Sequence, residues 1–186
     1  MFKSLLSIGD PGLRGKAVAV TPELFSSRWL RDLSEHMRAT MAQEGGCGLA
    51  APQVGEQLRM FVVEFDPQGD PEMDAVDFTV VVNPRLRIDR VKSSLVRSWE
   101  SCLSVPGKAG LVPRQGRVTL DYLDLNGGRH SALVTGFLAA LVQHENDHLD
   151  GVIFTDHISI PSDLIDAATL TEQRLQEGCT YGKWTR

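Results

Sequence analysis

The chain of 186 residues predicts an α+β fold, and three features of its pattern carry that reading. Helical periodicity sits near the two ends and in one segment after residue 136. Strand-like runs fill the middle. A hairpin signal joins two of those runs, where repeating βαβ units would alternate each strand with a helix. With 42% apolar and 23% charged residues, the composition suits a full hydrophobic core, and the length suits a single domain over residues 1–186. No apolar run approaches the roughly 18 residues that a membrane span needs.

The elements follow in order. "TPELFSSRWLRDLSEHMRATMAQEGG" predicts an N-terminal amphipathic helix with Thr21 as its cap and Pro22 at its first position. Leu30, Leu33, Met37 and Met41 recur at three- and four-residue spacing along it, and Gly45-Gly46 stops it. "GCGLAAPQVG" is a glycine-rich turn, and "LRMFVVEF" after it reads as a strand rich in β-branched and aromatic residues. "DPQGDPEMDAVD" is a loop by its prolines and acids, and "FTVVVNP" is a second strand that Asn83-Pro84 should end. In "RVTLDYLDLNGGRHSALVTG", Asn126-Gly127 between two alternating runs predicts a hairpin. From Gly136 a mostly apolar helix runs to Asp150-Gly151, and "SDLIDAATLTEQRLQEG" predicts a C-terminal amphipathic helix.

Charge and cysteine content narrow the function classes. A net charge of -5 provides no overall drive toward phosphates, so no direct nucleic-acid binding is expected. The N-terminal stretch is too short and too soon broken by Gly9-Asp10-Pro11-Gly12 to be a secretory signal. Three cysteines, Cys47, Cys102 and Cys179, argue for reduced thiols in a cytoplasmic setting, with no membrane partner.

The apolar helix carries the chemistry. "QHENDHLDG" places His144 and His148 one turn apart, about 40° round the helix from each other, so both imidazoles can reach one metal ion. Glu145 lies beside them, placed to act on a water molecule as general base and then acid. Asp147 points off this face and suits a helix-anchoring role. Two histidines need a third ligand. The extended zinc-protease pattern fails, because Phe154 stands where its last histidine belongs. Asp163, Asp166 or Glu172 fit on spacing as a downstream carboxylate, which would make a zinc peptidase. Cys102, in "WESCLSVPG" before a Pro-Gly turn, is the other candidate, expected at an exposed strand end.

"GCGLAAPQ" at 46–53, "ESCLS" at 100–104 and "QHENDHLDG" at 143–151, in that order, resemble the three motifs of the peptide deformylases. The resemblance extends over about residues 9–154. It implies mainly antiparallel sheets around a central helix carrying His-Glu-x-x-His, flanked by the N- and C-terminal helices. It also implies that Cys102, His144 and His148 hold one divalent metal, Fe(2+) first and Zn, Ni or Co as substitutes. Glu145 becomes the general acid/base, while the Gln53 amide and the Leu103 backbone N–H become oxyanion donors. The activity implied is hydrolysis of the formyl group from N-formylmethionine on nascent chains, with release of formate and association with the ribosome.

Gly46 and Gly48 would let a peptide backbone approach, and Cys47, Trp99, Phe137 and Leu141 are the expected pocket for the methionine side chain. Three departures from the family pattern stand out. Ser101 replaces the usual glycine, and Ala109 replaces a substrate-meeting arginine, leaving Lys108 as the nearest cation. The tail also lacks the basic helix some members use for ribosome docking. A non-catalytic metal- or peptide-binding relative, its oxyanion geometry spoiled by Ser101, is the non-enzyme alternative.

Overall fold

The structure, a computed structural model, describes residues 4–89, 91–170, 178 and 181–185. Two sheets and two α-helices make up its frame. The larger sheet has the order β1 (Gly48–Ala50), β2 (Met60–Phe65), β3 (Val76–Arg87), β6 (Arg117–Leu123), β7 (Arg129–Thr135) and β9 (Gly182–Thr185). The smaller one has the order β4 (Leu95–Cys102), β5 (Val105–Gln115) and β8 (Leu164–Asp166). All of these strand pairs are antiparallel.

Helix α1 (Arg28–Gln43) buries Leu30, Leu33, Met37 and Met41 against Met60, Val62 and Val82 on one face of the larger sheet. Their three- and four-residue spacing makes this stripe, as the sequence predicts. The start differs. Thr21 and Pro22 open only a short 3-10 turn (Pro22–Leu24), Ser26 turns the chain at φ 59°, and Ser27 caps α1 by accepting from the Leu30 N–H at 3.2 Å. Gly45, at φ 71°, ends the helix, and the Gly46 N–H donates back to the Met41 carbonyl at 2.9 Å.

Helix α2 (Gly136–Leu149) covers the opposite face, where Leu138 and Val142 pack on Phe61, Val81, Leu120 and Val134. It is central, and ten of its fourteen residues are buried, so its mostly apolar composition reflects contact nearly all round. Gly151 follows its C-cap at φ 75°. The hairpin β6–β7 turns at Asn126-Gly127, where Asp124 accepts from the backbone N–H of Asn126 and Gly128.

Two further expectations fail. Strand β3 does not end at Asn83-Pro84. Asn83 takes φ 49°, the register with β6 shifts between Val82 and Arg85, and the strand resumes to Arg87. A proline is tolerated at such a bulge because the ladder is already interrupted there, and Asn83 side-chain bonds to Val20 N–H (2.9 Å) and carbonyl (2.8 Å) brace it. The C-terminal helix is absent over its first half. Pro161–Asp163 and Ala167–Thr169 are 3-10 turns, and Leu164–Asp166 between them is strand β8, paired with Lys108–Gly110 of β5. An open ladder edge on β5 outweighs the local amphipathic pattern, with Lys108–Asp166 (2.6 Å) and Arg97–Asp163 (2.6 Å) pinning the segment. Residues 171–177 of the expected helix lie outside the described residues.

Gly151 offers a direct check on how α2 is held. A Cβ there would lie 2.5 Å from the Arg14 carbonyl oxygen, at a φ that L residues rarely adopt. Gly151→Ala is expected to destabilise the protein by about 2–3 kcal/mol, which a thermal melt would show as a midpoint lower by roughly 5–10 °C.

Candidate active site

Cys102, His144 and His148 are brought together from β4 and one face of α2, with their donor atoms all within 4.8 Å of one another. They form the one group of this kind among the described residues. Cys102 ends β4, and contrary to the exposed position expected for it, it is 7% exposed. It packs in a small core with Leu13, Val105, Ile153 and Phe154. The site is interior because residues 11–14 and 153–157 fold over the strand end. Its sulfur lies 3.3 Å from His148 Nε2. The downstream carboxylates are engaged elsewhere: Asp163 pairs with Arg97 and Asp166 with Lys108, while Glu172 lies outside the described residues.

Glu100 sets the orientation of His144. Its Oε2 accepts from His144 Nδ1 at 2.9 Å, which leaves Nε2 as the nitrogen available to a metal ion. The same carboxylate accepts a two-pronged bond from Arg114 (2.6 and 2.9 Å), and Arg114 also reaches Asp147 at 2.6 Å. Asp147 in turn meets His157 Nε2 at 2.7 Å, so the anchoring role expected for it has named partners. Burial alone would raise the Glu100 carboxyl, but the bonds from Arg114 and His144 hold it well below the usual carboxylate range. Burial pushes His148 well below the ordinary imidazole value, so it is a neutral donor ring.

Glu145 is buried and one of its oxygens, Oε2, has no partner among the described residues. Burial pushes its carboxyl up to about 7, with the nearby Glu100 and Asp147 charges adding to the rise and His144 opposing it. Gly48 explains where that carboxylate can lie. A Cβ on Gly48 would fall 2.3 Å from Glu145 Oε1, so the glycine makes room for the acid before it makes room for any ligand. Gly46 similarly admits the Leu103 side chain, which would be 2.8 Å from an added Cβ. Gln53 is 2% exposed and locked at both ends of its amide. Its oxygen accepts from the Ala50 N–H (2.8 Å), and its Nε2 donates to Ser104 Oγ (3.1 Å) and approaches Cys102 Sγ at 3.6 Å.

These groups surround a cleft of about 440 Å³ between the edge of the larger sheet at β1 and the edge of the smaller one at β4. Gly46, Cys47, Gly48, Gln53, Trp99, Cys102, Leu103, Phe137, Leu141, His144 and Glu145 all line it, and His148 lies behind. Sequence reasoning missed Glu64, Phe65 and Asp66 on the rim. It also passed over Glu100, Arg114 and His157. The rule that a ligating histidine hands its second nitrogen to a carboxylate would have pointed to Glu100, two residues before Cys102. Ser101 is exposed between buried Glu100 and Cys102, and Ala109 is buried opposite it with Lys108 held by Asp166.

The residues fit a metal ion. One thiol and two imidazoles converge, one ring is oriented by a carboxylate, and a three-donor set of this kind leaves a position open to water.

The sequence model of the polypeptide deformylase family matches residues 2–163. "Peptide deformylase 2" of Nostoc sp. is 37% identical over 174 residues, covering 93% of this chain and 92% of that protein. "Peptide deformylase 1" of Nitrosomonas europaea is 41% identical over 161 residues, covering 86% and 89%. Among solved structures, a class I type b peptide deformylase from Acinetobacter baumannii with bound Met-Ala-Ser superposes with a TM-score of 0.77 at 34% identity, over 85% of this chain and 99% of that one. A peptide deformylase from Synechococcus elongatus in complex with actinonin gives 0.76 at 32% identity, over 87% and 83%.

Replacing Glu100 tests the orienting bond without touching a donor atom. Glu100→Gln is expected to weaken metal affinity by about 10- to 100-fold, measured by competition with a chelating indicator, and to lower stability because Arg114 loses its buried counter-charge.

Proposed function

The chain belongs to the polypeptide deformylase family, and from that premise we propose that it hydrolyses the formyl group from N-formylmethionine at the start of polypeptides, releasing formate. The observation that carries the reading is the convergence of Cys102, His144 and His148 with the Glu145 carboxylate and the Gln53 amide at one end of a cleft. The cleft is bounded by two strand edges, β1 and β4, which suits a peptide lying extended between them. The Met-Ala-Ser bound to the Acinetobacter baumannii relative is a peptide of this kind. Cys47, Phe137 and Leu141 would take the methionine side chain, with the Phe65 ring tilted against the Phe137 ring at 5.3 Å between centroids and Trp99 across the cleft.

Cys102, His144 and His148 would hold the metal, for which we propose Fe(2+), with Zn, Ni or Co able to substitute. When bound, such an ion supplies Lewis acidity toward water and the formyl oxygen. Glu145 takes a proton from the attacking water. Its raised carboxyl value, about 7, suits both that step and the return of the proton to the leaving amine. Gln53 Nε2 and the Leu103 N–H would face the developing oxyanion, with the Gln53 amide held in place by the Ala50 N–H bond to its oxygen and its Nε2 turning from the Cys102 sulfur to donate there. Ser101 is exposed and lines the cleft between Glu100 and Cys102, with only a small hydroxymethyl group to accommodate there. The substrate places the enzyme near ribosomes in the cytoplasm, and no helix among the described residues is long and apolar enough to cross a membrane.

Metal-loaded protein, prepared anaerobically, should release formate from formyl-Met-Ala-Ser, and absence of release with iron, nickel and cobalt alike would falsify the reading. Glu145→Ala should keep its metal and lose turnover by about 10²- to 10⁴-fold. Gln53→Ala should cost about 10² to 10³ in kcat. Metal content measured alongside separates both from Cys102→Ala, which should lose the ion.

Gly48→Ala makes a sharper test of the steric argument. It should retain the metal yet lose activity on the scale of Glu145→Ala, because the new methyl group displaces the carboxylate. Activity within about threefold of the parent would show that Glu145 works from elsewhere.

A further inference from the structure

One histidine near the site has no part in the chemistry above. His157 ends a short 3-10 turn, Phe154–His157, that follows α2. Two side chains of this turn address His144, from different directions. Phe154 is buried and lays its ring beside the His144 imidazole, with centroids 6.1 Å apart and 24° between the planes. His157 reaches the same imidazole through Asp147, Arg114 and Glu100. Its Nε2 meets Asp147 Oδ2 at 2.7 Å, and that oxygen also accepts from Arg114 Nη1 at 2.6 Å. Arg114 donates to both Glu100 oxygens, and Glu100 accepts from His144 Nδ1 at 2.9 Å.

The connection runs from surface to interior. Side-chain exposure falls from 34% at His157 through 22% at Asp147 to 5% at Arg114. A carboxylate paired with arginine offers only acceptors, so His157 Nε2 carries the hydrogen. That nitrogen and Arg114 Nη1 lie 3.4 Å apart, two donors from different elements sharing one oxygen. The turn itself does not depend on the His157 ring. Asp156 closes it by accepting from the Ile153 N–H at 2.9 Å, and pairs outward with Arg14.

We propose that His157 is a positioning residue for His144, acting through Asp147, Arg114 and Glu100 to hold the imidazole ready for a metal ion. The inference rests on the reading of Cys102, His144 and His148 as the ligands. His157 gives Asp147 its second donor. Without it, water takes the vacated place at Asp147 Oδ2 and weakens the Asp147–Arg114 pair, since a hydrogen bond is stronger where water is excluded. The guanidinium is then held firmly on the Glu100 side alone. His144 loses part of the constraint on its ring, and the place of its Nε2 relative to Cys102 and His148 broadens. His157 does not line the cleft, so its removal should reduce metal retention far more than turnover of the loaded enzyme.

Cobalt(II) uptake by the full chain, followed by its visible absorption in competition with a chelating indicator, tests the role. His157→Phe keeps a ring and removes the donor. It should weaken cobalt affinity by about 3- to 10-fold, less than the roughly 10- to 100-fold expected where a bond made directly to a ligand is lost. His157→Ala, which adds no bulk, should lose affinity to the same extent, and His157→Gln, which can still donate to Asp147, should stay within about twofold of the parent. In a Glu100→Gln background, His157→Phe should change affinity by less than about twofold, because the link to His144 is already cut. Saturated with cobalt, His157→Phe should release formate within about threefold of the parent rate. Parent-like affinity in His157→Phe and His157→Ala, equal weakening in His157→Gln, or the same loss with and without Glu100 would each overturn the proposal. A parent that takes up no cobalt would reject the ligand reading itself, and the positioning role with it.

Discussion

The Glu100 carboxylate is the joint on which the convergence of Cys102, His144 and His148 depends. It belongs to β4, its guanidinium partner Arg114 to β5, and the histidine it orients to α2. Glu100 and Arg114 are 7% and 5% exposed. A buried charge pair is tolerated only when its lone pairs and protons are satisfied, since desolvation otherwise exceeds the Coulombic gain. Here Arg114 spends its remaining donors on Asp147, one turn along from His144. The network therefore has one arrangement of low energy. That arrangement fixes the distance between a strand end bearing Cys102 and a helix face bearing two histidines.

Much of this architecture was legible from periodicity. Leu30, Leu33, Met37 and Met41 announced α1, Asn126-Gly127 announced the β6–β7 turn, and Gly136 to Gly151 bounded α2. What failed were places where tertiary contact outweighs local preference. Pro84 looks like a strand end, yet an Asn83 bulge carries β3 past it. Residues 164–166 share a helical pattern with their neighbours, yet the edge of β5 takes them as a strand. The Thr21-Pro22 start looked sound, but Ser26 at φ 59° separates it from the helix. The site shows the same division. His144, Glu145 and His148 are readable because helix geometry is regular. Cys102 needed three ordered motifs. Arg114 and His157 gave no local sign, since an arginine in a strand and a histidine in a loop look like surface residues until the fold buries one and pairs the other.

The buried Glu145 carboxylate costs stability. A buried carboxylate oxygen without a partner is unfavourable, and a chain selected for stability alone would cover or replace it. The same burial lifts its carboxyl to about 7, the range in which a group can both accept and return a proton near neutrality. Gly48 belongs to this exchange. Any side chain there would occupy the position of the Glu145 carboxylate, so backbone freedom at β1 is set by the acid across the cleft and only secondarily by a peptide.

Charge behaves as the histidines do, in that its sum conceals its placement. A net charge of -5 argues against polyanion binding only if the charges are evenly spread. They are not. Asp66, Asp70, Glu72 and Asp74 crowd the loop between β2 and β3, whereas the outer rows of β3, β6 and β7 carry four arginines to one carboxylate. The sheet thus has α2 and the cleft on one side and an arginine-bearing surface on the other.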